Sequence, residues 1–195
     1  MPLGAFKAAL MGTAGVSTGD VVLLSTQTAS DSSGVAFTSG IDSTYGEYIF
    51  RFYNLADHDN QLIHFQVNAS GESGYNETIT STAFYARHTE DDTTGAALAY
   101  RAGVDQAQGT AYQTLSEALR ADADASMSGE LHLFNPASTT YVKHFIARTA
   151  MMQSSPGAWE THVAGYINTT AAITGINFKA DSGTFDGTIK MWGVK

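Results

Sequence analysis

The chain of 195 residues contains no cysteine, so it forms no disulfide and offers no thiolate to a metal. Charge is also scarce, at 15% of residues against about 25% in an average soluble domain. Lys and Arg number 10 against 19 Asp and Glu, a net charge of −9. Binding a phosphate backbone takes clustered cations that release counterions, and the sequence has no such cluster; nucleic acid is not an expected partner. No apolar run approaches the roughly 18 residues of a membrane span, so a membrane is not expected either. No period of about 20 to 50 residues recurs, which sets solenoids and propellers aside.

What is present is 43% hydrophobic residues, 23 Thr, 17 Ser and 19 Gly. A chain of about 150 to 200 residues buries roughly 70% of its unfolded surface, enough for a core without staples. Polarity carried by hydroxyls and turns rather than by charge points to an all-β domain.

Residues 1–19 differ from the rest in being small and apolar, with Lys7 as their one charge and Gly15, Ser17, Thr18 and Gly19 closing them. Lys7 lies inside the apolar stretch rather than before it, and Gly4, Gly12 and Gly15 interrupt the run, which argues against a signal peptide. The segment is expected to be an N-terminal docking arm on a domain covering 20–195.

From Val21 onward, short alternating runs recur between turn clusters. Tyr48, Phe50 and Phe52 alternate with Ile49, Arg51 and Tyr53, so bulk on both faces predicts a central strand. Ile63, Phe65 and Val67 alternate with His64, Gln66 and Asn68, one wet face and one dry. These two runs and the polar turn at 57–60 read as a hairpin. Further strands are expected over 78–87, 96–101, 129–134, 141–151, 159–167, 173–179 and 188–194, nine or ten in all. Tyr112, Leu115 and Leu119 fall on one helical stripe, and Thr110 with Gln113 matches a capping box, which predicts one short helix near 110–121. The expected architecture is an antiparallel two-sheet sandwich of jelly-roll type, whose wrapping leaves few open edges.

Candidate chemistry is sparse. The six histidines, at 58, 64, 88, 132, 144 and 162, include no His-x-His pair that would aim two ligands from one strand face. Asp57, Asp59 and Asn60, and Glu90, Asp91 and Asp92 in the 90–95 turn, are oxygen-rich, but neither has the Gly and distal Glu of an EF-hand loop. Both are expected to be solvated hairpin tips, with a structural Ca clip as the alternative. Ser39, Ser70 and Ser73 each precede Gly without completing a Gly-x-Ser-x-Gly elbow, and no phosphate-binding glycine motif occurs. Glu47, Glu72, Glu77, Glu130 and Glu160 lie on or beside strands, where paired carboxylates could cleave a glycoside, but sequence does not give their separations. No catalytic residue, cofactor site or metal site is assigned. Trp159, Trp192, Tyr75, Tyr85 and Tyr100 suit either sugar stacking or a core and subunit interface, the second being the expectation.

Several segments resemble jelly-roll virion structural proteins of tailed bacteriophages. These are Ile173-Thr-Gly-Ile-Asn-Phe-Lys and the closing run Gly183-Thr-Phe-Asp-Gly-Thr-Ile-Lys-Met-Trp-Gly-Val-Lys195, together with Gly46-Glu-Tyr-Ile-Phe-Arg-Phe-Tyr-Asn-Leu and Ser128-Gly-Glu-Leu-His-Leu-Phe-Asn-Pro136. The opening Met1-Pro-Leu-Gly-Ala-Phe-Lys is similar to the N-termini of several phage particle proteins. The resemblance covers most of 46–195 through short motifs. It implies a non-enzymatic capsid decoration (cement) protein, or else a tail or fibre component, localised to the virion after assembly in the bacterial cytoplasm. Its partners would be capsid or tail subunits and its own copies in a homotrimer. The alternative expectation is a lectin-like carbohydrate-binding sandwich module that recognises a host-surface glycan.

Overall fold

Twelve strands form in the computed structural model, which describes residues 20–57, 59–92 and 95–195. They are β1 (Val21–Ser32), β2 (Val35–Phe37), β3 (Glu47–Asp57), β4 (Ile63–Ala69), β5 (Ile79–Thr89), β6 (Ala96–Tyr100), β7 (Gln113–Thr114), β8 (Met127–Phe134), β9 (Lys143–Met152), β10 (Gly157–Ile167), β11 (Ile173–Ala180) and β12 (Phe185–Val194). Two antiparallel sheets result, one of eight strands in the order β1-β12-β3-β8-β9-β10-β5-β6 and one of four in the order β2-β11-β4-β7. The expected arm, residues 1–19, lies outside the described residues.

Eight of the strands pair first with last: β1 with β12, β2 with β11, β3 with β8 and β4 with β7. This nesting is what a single antiparallel ribbon gives when it wraps around a core, the path of a jelly roll. It puts β1, β12, β3 and β8 in one layer and β2, β11, β4 and β7 in the other. The two remaining pairs leave that path, β5-β6 between β4 and β7, and β9-β10 between β8 and β11. Both add beyond β8, doubling the larger sheet to eight strands.

The core follows from the alternation. Tyr48, Phe50 and Phe52 turn inward from β3, which lies between β12 and β8, central as its two-sided bulk predicts. Phe178 of β11 meets Phe50 and Phe52 with ring centroids 5.4 and 5.3 Å apart, and Phe37 and Phe65 at 6.3 and 6.5 Å. Burying each such ring contributes about 1.5–3 kcal/mol, and tilted aromatic pairs add roughly 0.5–1.5 kcal/mol. Where β12 bulges against β3, Gly187 has φ of 126°, and a Cβ there would lie 2.6 Å from the Asn54 carbonyl. The bulge therefore requires glycine.

Two local expectations are corrected. The runs at 48–53 and 63–67 are not a hairpin: β3 belongs to the large sheet and β4 to the small one. Alternation encodes which face of a strand is buried but not its partner, and here wrapping around the core supplies the partners. The turn between them is a crossover, anchored by the buried Asp57, whose Oδ2 accepts the N–H groups of Asp59 (3.1 Å) and Gln61 (2.5 Å).

The predicted helix near 110–121 is also absent. This segment runs extended, with β7 pairing to β4 and the N–H groups of Leu115 and Leu119 donating to the carbonyls of Ile63 (2.8 Å) and Gln61 (2.9 Å). Leu115 and Leu119 are both fully buried, so their spacing marks two core contacts rather than one helical stripe. Gln113 does not return to Thr110; its amide accepts from Ser81 Oγ at 2.6 Å and donates to the Val104 carbonyl at 2.9 Å. Among the described residues no helix is long and apolar enough to cross a membrane.

Candidate functional site

The outer face of the large sheet gathers Glu47, Glu130 and Glu160 and four of the six histidines singled out from sequence. Register places Lys190, Arg51, Glu130, Arg148 and His162 side by side on β12, β3, β8, β9 and β10. The next row carries Ser128, Ala150, Glu160 and Ala86. Each of these side chains points outward because its strand neighbours, such as Leu131, Ala147, Thr149 and Val163, fill the interior.

Opposite charges on adjacent strands find one another. Glu130 meets Arg51 at 3.4 Å and His132 at 3.2 Å, and the other ring nitrogen of His132 bonds to Glu47. Glu160 is paired with Arg148 and lies 3.4 Å from His162. These groups are partly solvated, so each pair contributes only about 0–1 kcal/mol to stability. The Arg148 guanidinium bonded to Glu160 holds its carboxyl below the ordinary carboxylate range, outweighing the opposing effect of burial. A glycosidic general acid needs the opposite, a carboxyl kept protonated near neutrality.

Small side chains leave hollows between these taller groups. One, of about 420 Å³, sits over Ser128, Gly129 and Ala150 and is rimmed by Arg51, Tyr53, Arg148 and Glu160. A second, of about 480 Å³, adjoins it over Ala86 and Ala158 and shares Arg148, Ala150 and Glu160. At Gly129 a Cβ would lie 2.3 Å from the Arg148 carbonyl, so the floor holds β8 and β9 in close approach. The combined trough is open and shallow, with a small-residue floor and a hydrogen-bonding rim. Its shape admits an extended ligand laid along the sheet rather than an enclosed compact one.

The other sequence candidates disperse. His88, His132, His144 and His162 stand on the large sheet, His64 is on β4 of the small sheet, and His58 lies outside the described residues. His162 stacks flat on Phe84, with centroids 4.7 Å apart. Among the described residues no group of three or more His, Asp or Glu converges on a common metal position. In the first acidic turn, Asp57 is turned inward to cap backbone N–H groups; in the second, Asp92 reaches His88 at 3.4 Å, and Thr93 and Thr94 lie outside the described residues. Glu77 accepts the Ala69 N–H at 3.0 Å, away from the trough. Trp159 is a core residue, tilted on Tyr85 at 4.7 Å with the Arg87 guanidinium 5.1 Å from its ring. Trp192 stays half-buried on the outer face, 5.9 Å from Arg51.

Two features escaped sequence reasoning. The trough's signal was alanine at outward positions of β9 and β10, where solvent-facing strand positions usually carry longer polar groups. The other is at the sheet's two ends. Leu98 and Tyr100 on β6 are 73% and 56% exposed, and Val21 and Leu23 on β1 are 49% and 45% exposed. No known family, no curated protein and no solved structure matches the chain.

Proposed function

We propose that the chain is a non-enzymatic structural protein of a tailed-bacteriophage virion, a capsid decoration (cement) protein or else a tail or fibre component, acting by packing rather than by chemistry. The observation that carries this reading is the pair of strands that end the large sheet. In a chain of net charge −9, both present exposed apolar side chains, Val21 and Leu23 at one end and Leu98 and Tyr100 at the other. Soluble sheets guard such edges with charge or proline, and subunit contacts leave them open. The jelly-roll path and the motif resemblance support the same reading, as does the ion pairing of the outer-face carboxylates.

In this account copies associate as a homotrimer, and residues 1–19, which lead directly into the β1 edge, dock on a neighbouring virion protein. Repetition of a weak contact around a symmetric assembly raises the effective concentration of each site and makes attachment durable. Removing residues 1–19 and measuring retention on purified particles tests the arm. Loss of at least tenfold in bound copies is expected, and full retention removes the arm from the mechanism.

The trough supports a second reading, a lectin-like module that takes a host-surface glycan across Ser128 and Ala150 with Tyr53 as its side wall. A reproducible sugar preference on a glycan array, abolished by Tyr53→Ala, would favour it over the packing role.

A further inference from the structure

We infer that β6 is a two-fold pairing edge, at which a second copy of this chain adds its own β6 antiparallel and joins two large sheets into one. This rests on the reading of the chain as an assembling protein and specifies which edge meets which.

The first argument is hydrogen-bonding polarity. The Arg101 N–H donates to the Ala83 carbonyl at 2.9 Å, and the Ser81 N–H donates to the Gln106 carbonyl at 2.9 Å, so odd-numbered residues of β5 face β6. The β5–β6 register sets Tyr85 opposite Ala99 and Arg87 opposite Ala97. Antiparallel alternation then aims the N–H and C=O groups of Ala97 and Ala99 at β5, and those of Ala96, Leu98 and Tyr100 away from the sheet.

The second argument is self-complementarity. Outward-facing groups pair only with outward-facing groups, and the register that uses all three residues centres the axis on Leu98. Leu98 then faces its own copy and Tyr100 faces Ala96, a large side chain against a small one, with two backbone hydrogen bonds exchanged in each hydrogen-bonded pair. Phe84, 41% exposed and directly beside Tyr100, carries the apolar surface on to β5.

The third argument is charge. The β6 sequence Ala-Ala-Leu-Ala-Tyr has no ionisable acid or base at neutral pH. Two chains of net charge −9 repel in general, and an isologous contact sets identical groups face to face, so a strand with no charged residue of its own is where such a contact costs least; the Asp105 carboxylate beside it accepts the Tyr100 hydroxyl at 2.5 Å. β6 has neither the Lys nor the Pro that commonly guards a free edge.

An isologous contact makes the copy number even, so a trimer built through another surface would be joined into a hexamer. The test is cysteine cross-linking in the full-length chain, which has no cysteine of its own. Residues opposed in a hydrogen-bonded antiparallel pair have Cα atoms about 5.5 Å apart, within disulfide reach. Leu98→Cys is expected to give a covalent dimer as the main species on mild oxidation, whereas Ala96→Cys, facing Tyr100, stays at least tenfold less cross-linked. Both sites are exposed, and unchanged far-UV circular dichroism would show that both variants fold. Absence of cross-linking in Leu98→Cys, or equal cross-linking in both, overturns the proposal.

Leu98→Glu, which opposes two carboxylates across the axis, is expected to halve the sedimenting mass. An unchanged, odd-numbered assembly would also overturn the proposal. Particle retention separates the two ideas. Normal retention without Leu98 cross-linking removes the β6 contact and leaves the virion role intact; cross-linking without retention does the reverse.

Discussion

Beneath β2, β11, β4 and β7, the interior is a set of aromatic rings gathered on Phe178. Beneath β9, β10, β5 and β6, the corresponding layer mixes buried apolar groups such as Phe145, Trp159 and Val163 with the buried polar side chains Thr149, Thr161, Ser116 and Glu117. The cover differs as well, regular strands in the first half and the largely irregular 101–126 segment in the second. In that segment Thr149 Oγ1 donates to the Leu115 carbonyl at 2.7 Å, and Arg101 clasps Glu117 through two bonds of 2.5 and 2.8 Å. The two halves share one apolar core, and the half beneath β9, β10 and β5 differs in mixing buried polar side chains among its apolar ones. Burial of apolar area stabilises both halves, while the Thr149 bond to Leu115 also fastens the covering segment to β9, and the strands beyond β8 end in the open β6 edge.

Several measurements can break or sharpen this contrast. The largest effect is expected from Phe178→Ala, which removes the ring common to four aromatic contacts and should cost about 3–5 kcal/mol in chemical denaturation. A cost below about 1 kcal/mol would mean that the aromatic layer does not carry the fold.

Glu117→Ala leaves the Arg101 guanidinium without its bidentate partner, and the expected cost is about 1.5–3 kcal/mol. Hydrogen exchange should quicken over 101–121 and stay slow in β3 and β11. Uniform quickening would show that the two halves unfold as one unit.

A smaller, pH-dependent effect belongs to His64. Burial draws its pKa below the ordinary 6.5, with Asp181 opposing. The unfolded chain therefore takes up the proton more readily, and stability falls as pH drops below about 6.5 toward the lowered folded value, while it is complete above that range. Thermal melts from pH 7 to pH 5 should show a slope that flattens in His64→Asn; an unchanged slope would assign it to other groups.

The smallest effect is expected from Arg148→Ala. Its pair with Glu160 is on the wet face, so the stability change should stay within about 1 kcal/mol. A larger loss would make the outer-face charges part of the fold rather than of the surface.

Sequence pattern revealed the strands and their buried faces well, because alternation in β3, β8 and β9 is imposed directly by the sandwich interior. It did not reveal pairing. The residues that join β3 to β12 and β8 are far apart in the chain, and the polar turn after Asp57 looks the same whether it closes a hairpin or crosses between sheets. The 110–121 segment misled for a related reason, since Leu115 and Leu119 are spaced like helical neighbours but are held extended by Ile63 and Gln61. The trough was hidden because alanines on an outward face carry no chemical signature of their own. Glu130 and Glu160 were visible as carboxylates, but their partners Arg51 and Arg148 become neighbours only through strand register.

Hydrogen exchange followed by mass spectrometry, on the chain free in dilute solution and again when bound to purified phage particles, tests the central claim most directly. If the chain works by packing through its sheet edges, assembly will slow exchange in β6 and β1 at least tenfold and leave the strands around Ser128 and Ala150 unchanged. Unaltered edges, with slowing confined to the trough when a glycan is added, would contradict it.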